Sequence, residues 1–207
     1  MKNTLFEPIQ KVISSFDFYN IDSKRKLVLQ PLIDYIQSQV SNDEMVNLNL
    51  ICTHNSRRSH LSQIWAQTAA TFYKIPNVFC YSGGTEATAM FPMVAETLQN
   101  IGFQIEKLSQ ESNPIYAVKM GESLPPVICF SKKYDAPFNP VSNFAAIMTC
   151  SQADQGCPLI LGASVRIPIT YEDPKAFDLT PLQAEKYYER SMQIALEMAF
   201  VFSNIKQ

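Results

Sequence analysis

Apolar residues recur along this chain in two rhythms, one of helices and one of buried strands. Between Asp22 and Val40 they fall every three to four positions, at Leu27, Leu29, Leu32, Ile33, Ile36 and Val40. That spacing predicts an amphipathic helix capped by Asp22 or Ser23. Pro31 within it predicts a kink or the true helix start. The polar cluster Ser41-Asn42-Asp43 follows, so residues 1–45 read as an N-terminal helical extension and residues 46–207 as the main domain. Val46 to Ile51 is a short unbroken apolar run and predicts a buried strand. After it come a helix-like stretch from about Ser59 to Tyr73, a strand near Val78-Phe79-Cys80, and a helix from about Pro92 to Asn100 closed by Gly102. Phe144–Met148 and Val165–Ile169 read as further strands. Thr180 as cap and Pro181 at the first position predict a long final helix to about Ser203. Strands alternating with helices imply an α/β fold with a mostly parallel sheet. Tyr116–Met120 and Pro126–Phe130, joined by Gly121-Glu122-Ser123-Leu124, read as an inserted hairpin.

Composition narrows the class. With 207 residues, 46% of them hydrophobic and 17% charged, the chain reads as one soluble globular domain with a sizeable core. A net charge of −2 and the lack of any Lys/Arg block argue against a nucleic-acid partner. No apolar run is long enough to span a membrane. The N-terminus, with Glu7, Lys11 and Asp17, lacks the apolar stretch of a signal peptide, so a cytoplasmic protein is expected. The cysteines are Cys52, Cys80, Cys129, Cys150 and Cys157, an odd count that argues against a disulfide framework. His54 and His60 are too few for a His-rich metal site and no C-x-x-C motif occurs, so neither a metal nor another cofactor is expected.

The candidate chemistry lies where the first predicted strand turns into a helix, in Cys52-Thr53-His54-Asn55-Ser56-Arg57-Arg58-Ser59. A strand-to-helix turn points successive backbone N–H groups inward and forms a nest for an anion. Arg58 at the helix start can grip two oxygens of a tetrahedral ligand as a planar fork, which lysine cannot do. The same donors favour the Cys52 thiolate over the thiol, whose ordinary pKa is about 8.5. Ser59 can donate to the sulfur, and Asn55 can bond the loop backbone and tolerate a left-handed φ. Thr53, His54, Ser56 and Arg57 complete the loop as oxyanion contacts and support. Cys150 and Asp173 also follow predicted strands, which puts them on the same functional edge of a parallel sheet. Cys80 and Cys129 sit in apolar runs and read as core.

Cys52-Thr53-x-Asn55-x-x-Arg58-Ser59 resembles the signature loop of low-molecular-weight protein tyrosine phosphatases and of the arsenate reductases built on that fold. Thr149-Cys150-Ser151-Gln152-Ala153-Asp154-Gln155-Gly156-Cys157-Pro158 resembles the redox segment of thioredoxin-coupled arsenate reductases, and Tyr171-Glu172-Asp173-Pro174 the Asp-Pro loop of both branches. The resemblance covers roughly residues 46–204. It implies a small, mostly parallel four-stranded sheet flanked by helices, with the N-terminal extension and the hairpin added. It further implies that Cys52 attacks arsenate, Asp173 protonates the departing oxygen, Cys150 attacks Cys52 to release arsenite, and Cys157 moves the disulfide to where thioredoxin reduces it. Two cysteines seven apart rise about 10 Å along a helix, too far for a disulfide, so the segment from 150 to 158 is expected to be a mobile loop or to unwind. His54 stands where the family has glycine, and Gln63 where those reductases have an acidic residue that helps hold potassium. Hydrolysis of phosphotyrosine or a small phosphate ester, with Tyr171 and Phe177 as aromatic walls and the cysteine pair as a redox brake that traps Cys52, is the alternative activity. A non-catalytic oxyanion or redox sensor is the third reading.

Overall fold

The computed structural model describes residues 4–156 and 159–207; Cys157, the predicted second relay thiol, and Pro158 lie outside the described residues. Two helices come first, α1 (Glu7–Ser14) and α2 (Ser23–Ser41). They are followed by β1 (Val46–Cys52), α3 (Arg58–Phe72), β2 (Val78–Gly84) and α4 (Pro92–Ile101). Three short strands come next, β3 (Gln104–Lys107), β4 (Tyr116–Lys119) and β5 (Val127–Cys129). The chain closes with β6 (Phe144–Met148), α5 (Ser151–Gly156), β7 (Ala163–Pro168) and α6 (Gln183–Ser203). The main sheet is four-stranded, in the order β2-β1-β6-β7 and parallel throughout.

Alternation along the central strands divides the core. Leu48 and Leu50 of β1 and Ala145 and Ile147 of β6 face one large cluster with α3 and α6. Ile51, Phe144, Ala146 and Met148 face the other way, into a smaller cluster that also holds Cys52, Cys150, Ala153 and Ile160. This is the period-two pattern of strands buried on both faces. Asn49 is a buried polar residue on the smaller face, and its amide donates to the Tyr134 carbonyl at 3.0 Å.

Several elements differ from the sequence expectation. The insertion is a three-stranded antiparallel sheet, because β3 pairs with β4 ahead of the predicted hairpin. Its residues are mostly exposed, which erases the apolar signal that marks a strand. Helix α2 runs through Pro31 unbroken. Pro31 and Leu27 are both exposed, so the Leu27 carbonyl that loses its amide partner faces water. Helix α6 begins at Gln183 rather than Pro181, while Thr180 Oγ1 accepts from the Leu182 amide at 3.3 Å. Helix α5 occupies Ser151–Gly156, within the segment expected to be a mobile loop or to unwind. Burial of Ala153 against the smaller cluster and the Asp154–Arg166 ion pair at 2.6 Å favour that turn of helix.

The N-terminal helices share the large core. Ile9, Ile13, Leu29, Leu32 and Ile36 pack in one cluster with β1, α3 and α6. Arg25 crosses to α6 and grips the buried Glu197 with two bonds, at 2.9 and 2.7 Å. On its outer edge, strand β2 pairs at Gly84 with the backbone of residues 132–134, and before that it meets side-chain amides in place of another strand. Gln67 pairs with Val78 O and Cys80 N, and Asn139 Nδ2 reaches Ser82 O. Gln63 donates to Cys80 O at 3.0 Å and Ile128 O at 3.4 Å, so its amide ties the inserted sheet to the main one. A carboxylate there could donate to neither carbonyl.

Candidate active site

The loop from Cys52 to Arg58 leaves the end of β1 and enters α3 at its N-terminus, where the helix dipole and unpaired amides favour a negative charge. Among the described residues, the N–H groups of residues 54–57 meet no protein acceptor. Asn55 takes φ +44°, a left-handed conformation that asparagine tolerates better than most side chains. Its amide fixes the loop at both ends: Nδ2 donates to Ser59 Oγ at 2.8 Å, and Oδ1 accepts from the Lys132 amide at 2.9 Å. Because an amide nitrogen only donates, the Ser59 oxygen must accept there, which leaves its hydroxyl hydrogen for Cys52 Sγ at 3.1 Å.

The loop also depends on residues that sequence reasoning missed. Register sets Gly84 beside Cys52. A Cβ there would collide with the Glu86 carbonyl and lie 2.7 Å from the Thr53 oxygen and 2.8 Å from the Asn55 nitrogen, so only glycine fits. The Thr85 amide donates to Cys52 O at 3.2 Å and the Glu86 amide to Thr53 O at 2.8 Å. Thr88 and Ser131 hydroxyls both donate to His54 O, at 3.1 and 2.9 Å. The Ser82-Gly83-Gly84-Thr85 run at the end of a strand was the available signal.

Arg58 Nη1 donates to the Tyr171 carbonyl at 3.0 Å and Nη2 to Asp173 Oδ2 at 2.5 Å, while its buried Nε has no protein partner. The predicted acid and the predicted fork therefore meet. Arg57 behaves otherwise than as an oxyanion contact. Its Nε donates to Tyr187 Oη at 2.5 Å, its Nη2 to Asp178 Oδ2 at 2.6 Å, and its guanidinium lies 4.1 Å from the Phe91 ring centre. Arg57 ties the loop to α6 and to the segment after Asp173, and only the support half of its expected role remains. Burial, and after it the hydrogen bond to Asp178, pushes the Tyr187 phenol up. Thr53 Oγ1 lies 3.4 Å from Cys150 Sγ, which also accepts from the Ala153 amide at 3.3 Å. Ser56 is buried, and its carbonyl accepts from the Phe91 amide at 3.0 Å. His54 stands at the mouth, 3.6 Å from Glu86.

An open cleft of about 800 Å3 lies over the loop, lined by His54, Arg58, Gln152, Asp173, Lys175 and Arg190 among others. Tyr171 does not form an aromatic wall, since its ring is buried with the Arg25 guanidinium 4.9 Å from its centre. The Phe177 ring has the Lys186 ammonium 5.7 Å from its centre. Cys80 and Cys129 are buried core residues away from the cleft, and burial raises both thiols, that of Cys129 to about 12. The described residues hold no cluster of His, Cys, Asp or Glu that could bind a metal, and none of their helices is long and apolar enough to cross a membrane.

His60 lies behind the loop, fully buried, with Ser82 Oγ 3.3 Å from Nδ1. Burial, then the charge of Lys132, pushes its imidazole down to about 3 from an ordinary 6.5. The unfolded chain thus binds a proton near pH 6.5 that the folded chain refuses, so stability is full above that pH and declines as pH falls toward 3. Urea unfolding at pH 5.0 is expected to give about 2 kcal/mol less stability than at pH 7.5. The difference should largely disappear in His60→Asn; an unchanged difference would assign the acid sensitivity elsewhere.

Comparison of the sequence with protein-family models and with curated proteins finds no match. Solved structures do match. The low molecular weight phosphotyrosine phosphatase of Vibrio cholerae O395 aligns over 76% of this chain and 94% of its own, with a TM-score of 0.50 and 13% identity. A mutant of YwlE from Bacillus subtilis aligns over 76% and 97%, with a TM-score of 0.50 and 12% identity. An arsenate reductase in its phosphate binding state aligns over 78% of this chain and 100% of its own, with a TM-score of 0.49 and 15% identity. At identities this low, the two structures with a TM-score of 0.50 show a shared fold and nothing finer.

Proposed function

We propose that this chain is an arsenate reductase in which Cys52 is the nucleophile and Cys150 the first relay thiol. The observation that carries this reading is the Cys150 sulfur, 3.4 Å from the Thr53 hydroxyl and in the same apolar cluster as Cys52. A second thiol beside the anion loop suits disulfide exchange at Cys52, a step that phosphate-ester hydrolysis does not require.

The Cys52 thiolate attacks arsenic(V), and the oxygen that departs takes a proton from Asp173 and leaves as water. Cys150, as thiolate, then attacks the Cys52 sulfur. The sulfur–arsenic bond breaks, its electron pair stays on arsenic, arsenic(III) leaves as arsenite, and a Cys52–Cys150 disulfide forms. Cys157 attacks the Cys150 sulfur, releases the Cys52 thiolate and forms Cys150–Cys157, whose two electrons come back from a dithiol protein such as thioredoxin. Two cysteines seven apart on one straight helix would be about 10 Å apart along its axis, so this last disulfide needs a segment that departs from a continuous helix between them. Phosphate monoester hydrolysis is the second reading. The size of the cleft favours it, since a tetrahedral ion fills only a small part of about 800 Å3.

The deciding test is NADPH consumption with thioredoxin, thioredoxin reductase and arsenate. Wild type should turn over, and Cys150→Ser and Cys157→Ser should each lose at least about a hundredfold in steady-state rate. No arsenate turnover, together with p-nitrophenyl phosphate hydrolysis that survives both changes, would replace the first reading with the second.

A further inference from the structure

The cleft contains an arginine that the chemistry of Cys52, Arg58 and Asp173 does not use. Arg190 comes from α6 and lines the same cleft as Arg58, with Gln193 of the same helix and Lys175 of the loop after Asp173. Arg25, Arg57, Arg58 and Arg166 each sit 2.5 to 2.7 Å from a carboxylate oxygen. Among the described residues, Arg190 has no carboxylate within ion-pair distance, and neither has Lys175. Arg190 Nη1 meets the Gln193 amide oxygen, and its Nε is buried without a partner.

The nearby acids do not satisfy it. Glu197 is held by both Arg25 bonds and by Gln193 Nε2 at 3.1 Å. Glu172 is an exposed residue of the cleft lining. Burial is the main influence pulling the Arg190 pKa down, and the positive charge of Arg58 adds to it against the opposing pull of Glu172, Glu197 and Tyr171. A half-buried guanidinium with no carboxylate in ion-pair contact is incompletely compensated, and an anion in the cleft would complete it.

We propose that Arg190, with Lys175 beside it, is a second anion subsite. The cleft then takes phosphate monoesters that carry another anionic group, a carboxylate or a second phosphate, with the tetrahedral end in the Cys52 loop. A planar fork suits either group. This rests on reading that loop as an oxyanion site. Such esters are substrates if the chain hydrolyses phosphate esters and competitors of arsenate if it reduces arsenate.

Calorimetry on the reduced full-length protein tests it with probes that cannot be hydrolysed: inorganic phosphate, methylphosphonate, and the series phosphonoacetate, 3-phosphonopropionate and 4-phosphonobutyrate. At least one carboxylated member should bind about tenfold or more tighter than methylphosphonate. In Arg190→Gln the ratio of those two affinities should fall below about threefold. If phosphate and methylphosphonate bind and no carboxylated member binds tighter, the subsite is overturned alone. If neither binds, the oxyanion loop is overturned and the subsite with it. The wild-type comparison decides even if the variant does not fold.

Discussion

Cys52→Ser is expected to abolish turnover, with a fall of about 10^4-fold or more in kcat, while the loop still binds phosphate. The Ser59 hydroxyl and the helix N-terminus are arranged to stabilise a negative sulfur, the Ser59 Oγ lying 3.1 Å from Cys52 Sγ. A serine hydroxyl has a pKa far above a thiol's, so the same donors cannot ionise it at neutral pH. It also lacks the sulfur on which Cys150 would form a disulfide. The oxyanion contacts expected from the loop belong to its backbone and to Arg58, which the change leaves in place. Arsenate-dependent NADPH oxidation and p-nitrophenyl phosphate hydrolysis should both vanish, while phosphate binding by calorimetry stays within about threefold of wild type. Residual turnover above about one per cent would remove Cys52 from the mechanism.

The second large effect is expected at Arg58. Its Nη1 holds the Tyr171 carbonyl at 3.0 Å and its Nη2 holds Asp173 at 2.5 Å, and the buried Nε points to no protein acceptor. One planar group thus sets the acid, the loop that carries it and the remaining donor in a fixed relation. Lysine carries the charge but only one nitrogen, and it cannot bridge these positions. Arg58→Lys should lose about 10^2- to 10^3-fold in kcat/KM, with kcat and KM both worsened, because the donor holds the bound ion and holds the transition state more strongly still. A loss confined to KM would mean that Arg58 only gathers the ion. Restoration by Arg58→Lys of more than about a third of wild-type kcat would show that charge alone suffices.

Much of this site was legible in the chain because its parts are local. Cys52, Asn55, Arg58 and Ser59 lie within eight consecutive residues, and a strand-to-helix turn permits few arrangements of them. Asp173 was placed on the functional edge by its position after a predicted strand and given its role by resemblance, and the structure brings it to Arg58 across the sheet. Gly84 left a signal in the Ser82-Gly83-Gly84-Thr85 run, but Lys132, Asp178 and Tyr187 were not legible, because each acts through a contact with a residue far away in sequence. Arg57 shows the same limit from the other side. Its place beside Arg58 suggested an anion contact, yet Asp178 and Tyr187, more than a hundred positions later, capture it.

The sequence by itself determined the alternation of strands and helices that makes the main sheet parallel, the buried runs at β1 and β6, and the turn that carries Cys52 and Arg58. Those follow from periodicity and local backbone chemistry, which a single segment encodes. Only the tertiary structure decided where the ends of parallel strands come together, and that puts Cys150 against Thr53. It alone showed the N-terminal helices sharing the core of the sheet, with Arg25 locked onto Glu197. It also left Arg190 facing the cleft without a carboxylate while the other arginines found theirs. Which charges meet depends on the packing of segments that no local pattern relates, so pairing becomes visible only once the chain is folded.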